Sequence, residues 1–403
     1  MSELPSRALV LGLAVTGEAA ALALAARGVE VVVNDRSPDA APGRLAGTGV
    51  ELRLGTEDES VLSGVELVVK SPGVPERSPV VAAARERAIP VWSEIELGWR
   101  LLPGNPVLGV TGTKGKTTTV RLLGAMFDAA AVNAVLAGNE HVPLSEVALT
   151  VEPGTWVVCE LSSFQLEDVE TFACDIAVLL NLEPDHLDRH ETFEAYRDAK
   201  LRIFERAKTK IGPADFSADD PLPAEPRMPG THNRANAAAA TAAARAAGLP
   251  DSAIAEALRT FEGVPHRLEL VRELRGVRYV NDSKATNTTA ARRAVASYDA
   301  PIHLILGGFI KGEDFGPFAA DLPPNVRSIH LIGAASDQLA AALDAAGRSY
   351  ARDGELTHAV EHASADARPG DVVLLSPATS SFDQYRNFEE RGAAFRRIVE
   401  ELR

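Results

Sequence analysis

Val107-Leu108-Gly109-Val110-Thr111-Gly112-Thr113-Lys114-Gly115-Lys116-Thr117-Thr118-Thr119 is the stretch on which the reading of this chain turns. An apolar, β-branched run gives way to a glycine-rich turn. Val120, Leu123, Met126 and Phe127 follow, spaced for one apolar face of a helix. Strand, turn and helix in that order bring backbone N–H groups and the positive end of the helix dipole onto one point, which makes a phosphate site. Gly112, Thr113, Lys114, Gly115, Lys116, Thr117 and Thr118 are the expected ATP contacts, with Lys116 neutralising charge and Thr117 offering its hydroxyl to Mg²⁺. Strict phosphate-loop spacing asks for glycine where the chain has Val110; the nearest glycine is one place earlier, at Gly109.

The same alternation of apolar run and helix-length segment extends in both directions. RALVLG, VEVVVND and ELVVKSPG precede the loop; TWVVCE and DIAVLLN follow it, then VRYVND, IHLILGG, SIHLIG and DVVLLSP. Such alternation predicts parallel sheets flanked by helices. Pro/Gly punctuation at Leu102–Pro106 and Phe261–Pro265 divides the 403 residues into three α/β domains. These are a Rossmann-like N-terminal domain (1–95), a central P-loop ATPase-like domain (96–263) and a C-terminal Rossmann-like domain (264–403). Ala235–Ala247 reads as a helix, and 208–230, rich in Pro, Asp and Gly without a period, as a loop.

Lys and Arg total 41 against 56 Asp and Glu, a net charge of −15, which argues against the clustered basic surface that nucleic acid requires. No run is long and apolar enough for a membrane span. Cys159 and Cys174 lack metal-ligand spacing and read as buried reduced thiols. Ala8–Val15 lacks the basic flank of an export signal, so the expected compartment is the cytoplasm. A monomer is expected, though no motif decides oligomeric state. Gly12, Gly17 and Asp35 imitate a dinucleotide fingerprint but lack G-x-G-x-x-G, which argues against a nicotinamide enzyme.

Beyond the loop, Glu160-Leu-Ser-Ser-Phe-Gln-Leu166, Asn181-Leu-Glu-Pro-Asp-His-Leu-Asp188, Tyr196-Arg-Asp-Ala-Lys200, His232-Asn-Arg-Ala-Asn236, His266-Arg267, Asn281-Asp-Ser-Lys-Ala-Thr-Asn287 and Leu375-Ser-Pro-Ala378 follow in order. With them the chain resembles the Mur ligases over most of its length. The Glu160–Leu166 and Ser376–Gly392 motifs are most similar to the members that add D-glutamate to UDP-N-acetylmuramoyl-L-alanine in cytoplasmic peptidoglycan synthesis.

The resemblance implies a chemistry. ATP phosphorylates the alanyl carboxylate, and the amine of D-glutamate attacks the acyl phosphate. Bringing two anions together costs about 4 kcal/mol per unit pair at 4 Å and an effective dielectric of 20, so cations must intervene. Lys116, Glu160, His186 and Lys200 are the implied catalytic residues. Thr117 and Glu160 would hold one Mg²⁺, and His186 with a carbamylated Lys200 a second. Asn233, Asn236, Arg267 and Asp282 would contact adenine and ribose. Val15, Thr16, Gly17, Asp35, Arg36 and Asn139 would hold the UDP-substrate, and Thr286, Lys311, Ser381 and Phe388 D-glutamate.

Read without the resemblance, several of these have plainer roles. Lys200 lies on an amphipathic helix, Phe193–Phe204, where a lysine usually faces solvent. His186 fits a surface imidazole, Asn233 and Asp282 fit caps, and Gly12 and Gly17 fit close packing. Ser381 fits the N-cap of a helix over Phe382–Leu402, with Phe388 in the core. The chain also departs from the family. It has Gly307-Gly308-Phe309-Ile310-Lys311 for the usual G-G-D-G-K, Lys114 for asparagine, and a short 208–230 segment. The alternatives are another ATP-dependent amide ligase of the superfamily, a different Mur ligase or a folylpolyglutamate synthetase, and a non-catalytic nucleotide-binding module. The split of motifs between domains implies closure on substrate binding.

Overall fold

The computed structural model describes residues 4–228, 230–310 and 312–403. The first sheet is β1 (Arg7–Leu11), β2 (Glu30–Asp35), β3 (Glu51–Leu54), β4 (Leu67–Lys70) and β5 (Val91–Ser93), parallel in the order β3-β2-β1-β4-β5. The second, also parallel, is β6 (Val107–Thr111), β7 (Ala134–Gly138), β8 (Trp156–Glu160), β9 (Ile176–Leu179) and β10 (Thr209–Ile211), ordered β10-β9-β6-β8-β7. The third is β11 (Glu269–Leu274), β12 (Val277–Asn281), β13 (Ile302–Gly307), β14 (Val326–Ile332), β15 (Ala351–Gly354) and β16 (Val372–Leu375), ordered β11-β12-β16-β13-β14-β15. Residues up to 261, except 227–231, form one compact unit with the first two sheets; the remainder forms a second unit around the third.

The α/β architecture follows from the apolar runs. Strands covered by helices on both faces bury every side chain, and so read as continuous Val/Leu/Ile stretches; Leu9, Val33, Val110 and Val158 are fully buried. The Lys116–Ala129 helix buries Val120, Leu123, Met126 and Phe127 as its spacing predicts, about 1.5–3 kcal/mol for each. In each sheet the strand order reverses about one strand: β1, β6 and, between β12 and β13, β16. Loops leaving the carboxyl ends of neighbouring strands part there and open a crevice, where ligands of such sheets bind.

Several sequence expectations need correction. The third sheet is mixed, because β11 pairs antiparallel with β12. The 208–230 loop begins with a strand, β10, paired to β9. The last helix spans Phe388–Glu401, not Phe382–Leu402. Asn387 caps it by accepting the Glu390 N–H at 2.8 Å, while the Ser381 carbonyl takes the Gln384 and Tyr385 N–H groups in a turn. Ser381 is therefore not its N-cap. The Phe193 helix is regular to Leu201 and tightens to a 3₁₀ turn over Arg202–Phe204. Cys159 and Cys174 are free and buried. No described helix is long and apolar enough to cross a membrane.

Candidate active site

The phosphate loop leaves the end of β6 at the reversal point of the second sheet. Gly115, the helix N-cap, has φ +85°, and a Cβ there would lie 2.2 Å from Asn236 Oδ1, so only glycine fits. Asn236, one of the expected nucleotide contacts, thus packs directly on the loop. Gly109 plays no part in the turn. It lies within β6, where a Cβ would stand 2.6 Å from Cys174 Sγ, so packing explains that glycine.

Thr113 and Lys114 spend their polar groups on the loop itself. The Thr113 N–H donates to Asn181 O at 3.0 Å, and its hydroxyl meets Tyr196 Oη at 2.8 Å. The Lys114 N–H donates to Asn181 Oδ1 at 2.9 Å, and its ammonium pairs with Glu183. The extra charge of Lys114 is matched by that partner. The N–H groups at the start of the following helix, Lys116 to Thr118, are the ones an intrahelical ladder leaves for an anion.

Two ammonium groups converge on one carbonyl: Lys116 Nζ donates to Gly112 O at 3.0 Å and Lys200 Nζ to the same oxygen at 2.9 Å. Lys200 is buried, against the solvent-facing expectation for a lone helical lysine. Burial, reinforced by Lys116, lowers its pKa to about 7, while Asp185 and Glu160 oppose the shift. Glu160, at the end of β8, is also buried. Burial raises its pKa against Lys116, Asn139 and Thr117. Its Oε1 accepts from Asn139 Nδ2 at 3.3 Å; its Oε2 lies 3.5 Å from His141 Nε2 and accepts no hydrogen bond among the described residues. His186 is exposed, in a left-handed conformation (φ 52°), its ring 5.0 Å from Phe164 and 6.4 Å from Tyr196.

A cavity of about 620 Å³ opens at the carboxyl end of β1. Val15, Thr16, Asp35, Arg36 and Asn139 line it, as expected for one substrate pocket. Gly17 does not: a Cβ there would meet Gly12 O at 1.8 Å, so this glycine lets the helix cross the loop, the packing role that the sequence also allowed. Asp35 accepts the Leu13 N–H at 2.7 Å and the Ser37 N–H at 2.8 Å, which sets the pocket's first loop.

Sequence reading missed several lining groups: Ser71-Pro72-Gly73-Val74, Glu94, His141 and Gln165. The S-P-G after a strand-like run was their one visible signal. Glu94 is fully buried; Oε1 accepts the Ser145 N–H at 2.6 Å, Oε2 has no partner among the described residues, and burial raises its pKa. Gln165 completes a capping box with Ser162 that fixes the turn after Glu160.

In the second unit, Asp282 is buried after β12. It accepts from Ser376 Oγ at 2.9 Å and from the Leu268 N–H at 3.2 Å, and burial raises its pKa to about 7. It therefore fastens β12 to β16 and to the Arg267 turn, whose neighbours His266 and Leu268 both have positive φ. Asn233 and Asn236 are buried on the Thr231–Ala246 helix of the first unit, with Asn233 its third residue. Thr286 is half-buried beyond β12, Ser381 is buried beyond β16, and Phe388 opens the last helix edge-on to His266 at 6.3 Å. Lys311 lies outside the described residues. In the altered loop, the Phe309 N–H donates to Ser380 O at 2.8 Å, its exposed ring meets Phe382, and Ile310 packs against the core.

Residues 6–93 match the Mur ligase MurD-like N-terminal domain, 110–225 the Mur ligase middle domain, and 266–379 the Mur ligase glutamate ligase domain. The chain is 39% identical to the UDP-N-acetylmuramoylalanine–D-glutamate ligase of Anaeromyxobacter dehalogenans, with 98% of each chain covered. It is 40% identical to the ligase of that name from Sphingopyxis alaskensis, over 98% of this chain and 97% of the other. In fold it is similar to the UDP-N-acetylmuramate-alanine ligase of Thermotoga maritima, with TM-score 0.57, 18% identity and 98% coverage of both. It is likewise similar to the MurF ligase of Thermotoga maritima solved with ADP, with TM-score 0.56 and 16% identity over 85% of this chain and 91% of the other.

Proposed function

The chain belongs to the Mur ligase family, and we propose on that premise how its residues carry out ATP-dependent addition of D-glutamate to UDP-N-acetylmuramoyl-L-alanine. The observation that carries the reading is Glu160: a buried carboxylate beside the Thr117 hydroxyl and the phosphate loop, whose Oε2 accepts no hydrogen bond within normal geometry among the described residues. Such an oxygen fits Mg²⁺, and Thr117 with Glu160 would hold the ion. When bound, the metal supplies positive charge to the ATP phosphates.

The protein's own residues do the rest. The helix start and Lys116 orient the phosphates and offset the repulsion as the alanyl carboxylate attacks the γ-phosphorus. Asn139 lines the cavity and also touches Glu160, so it sets the substrate's reactive end against the nucleotide site. The amine of D-glutamate then attacks the acyl phosphate, forms the amide and expels inorganic phosphate. The second metal site suits His186 and Lys200 only if the lysine is modified, because an ammonium group donates and cannot ligate. A pKa near 7 leaves much of Lys200 as the free amine that adds CO₂ to give a carbamate. Asn233, Asn236, Arg267 and Asp282 are proposed for the nucleoside, and Thr286, Lys311, Ser381 and Phe388 for D-glutamate.

Phosphate release and product formation test the reading. With ATP, magnesium and UDP-N-acetylmuramoyl-L-alanine, D-glutamate should be the amino acid consumed, and Glu160→Gln should lower kcat by about 10²- to 10³-fold. Full activity of Glu160→Gln would overturn the assignment.

A further inference from the structure

Arg391, on the Phe388–Glu401 helix, is 1% exposed. All five of its N–H groups are used, and every acceptor is neutral. Nε donates to Ser283 Oγ at 3.0 Å; Nη1 donates to Gly307 O at 3.3 Å and Ser380 O at 3.0 Å; Nη2 donates to Ser283 O and Thr379 O, both at 3.0 Å. It pairs with no carboxylate among the described residues, and nearby Asp383 gives its Oδ2 to the Ala334 N–H. Burial lowers its pKa only to about 10, so the side chain keeps its charge at neutral pH.

The acceptors are what make this cation informative. Ser283 follows β12, Gly307 ends β13, and Thr379 and Ser380 follow β16, so one guanidinium ties the loops of the three strands around the reversal of the third sheet. Ser283 Oγ in turn donates to Phe388 O at 2.8 Å, and Ser380 immediately precedes Ser381. Two of the residues assigned above to D-glutamate therefore hang from Arg391. Thr379 Oγ1 and Ser380 Oγ are buried there without partners among the described residues. Taking a charge out of water without an opposite charge is costly, and a fold that needed only a staple would pair it.

We propose that Arg391 is the positioning residue of the acceptor site: it sets the loops that carry Ser381 and Phe388, and its guanidinium, bonded only to neutral acceptors, adds positive potential there that an acidic amino acid completes. This rests on the D-glutamate reading above and says which side chain outside the contact set selects for acidity. Arg391→Gln should raise the KM for D-glutamate about tenfold, with KM for ATP and for the UDP-substrate within about twofold of wild type. Arg391→Lys, which keeps the charge, should recover most of that loss. A folded Arg391→Gln with unchanged KM for D-glutamate overturns the proposal, as does equal loss in the Lys and Gln variants. Should Arg391→Gln fail to fold, Ser283→Ala decides. It cuts the link to Phe388 but retains the charge, so KM for D-glutamate should rise about threefold, and no rise refutes the inference. If the wild type uses another acidic amino acid, the substrate assignment falls, and the same variants test Arg391 against that amino acid. Use of a neutral one overturns both.

Discussion

Lys70→Met removes a cation from the interior of the first unit, and the structure sets the size of the effect. Lys70, the last residue of β4, is 1% exposed; its ammonium lies 2.6 Å from Asp168, 3.0 Å from Glu76 and 3.7 Å from Glu167. Burial pulls its pKa down, but Asp168 and Glu76 outweigh that and leave it raised. Removing one member of a buried ion pair costs about 3–5 kcal/mol. Here Arg85 still reaches Asp168 at 2.6 Å and the Glu76 side chain is 52% exposed, so about 2–3 kcal/mol is expected. All three tryptophans, Trp92, Trp99 and Trp156, lie in this unit, so their fluorescence in a urea titration reports its unfolding. The midpoint should fall by about 1 M at a slope of about 2–3 kcal/mol/M, the upper part of the urea range that suits a unit of this size. Adding Asp168→Asn should recover part of the loss, because it removes the stranded charge. Since the folded pKa is raised, the contribution is complete below the unfolded value near 10.5 and disappears as pH climbs through the folded one. Lys70 also precedes the Ser71–Gly73 wall of the cavity, so KM for the UDP-substrate should rise with the loss of stability. A midpoint within roughly 0.3 M of wild type would refute the reasoning.

Other predictions are more local. Gly115→Ala forces a left-handed alanine onto Asn236, at about 1–2 kcal/mol for the conformation alone, and should raise KM for ATP by tenfold or more while leaving KM for D-glutamate unchanged. Asp282 binds its proton more tightly in the folded state, so wild-type stability should fall relative to Asp282→Asn as pH rises from about 4 to about 7, and run parallel above that; denaturation midpoints of the second unit across this range check the sign. Lys200→Ala should lose activity and regain some of it with a short-chain carboxylate, and CO₂-depleted buffer should slow the wild type. Full activity of Lys200→Ala without additive would end the carbamate proposal.

The phosphate loop, the long strands and the apolar faces of the helices were legible in the residues, because each is decided by neighbours within a turn or two along the chain. Val107–Phe127 needs no distant partner to become strand, turn and helix. Short edge strands such as β3, β7 and β15 were not legible, since pairing and not local propensity makes them strands. Likewise the last helix starts at Phe388, because a turn at Ser381 competes with helix up to the Asn387 cap.

For the site proposed above, the residues alone pointed to Lys116 and Thr117, since phosphate chemistry asks for those side chains where a glycine-rich turn opens a helix, and the family resemblance added Glu160 and the first-sheet loop. Only tertiary structure decided what lysine, arginine and glutamate do elsewhere. In sequence, Lys70, Lys200, Glu94 and Arg391 look like ordinary surface charges; each is buried by segments far away in the chain. Whether a charge sits in water or in a low-dielectric interior, and opposite what, depends on packing that no local pattern encodes, and that environment is what turns an unremarkable residue into a support of the site.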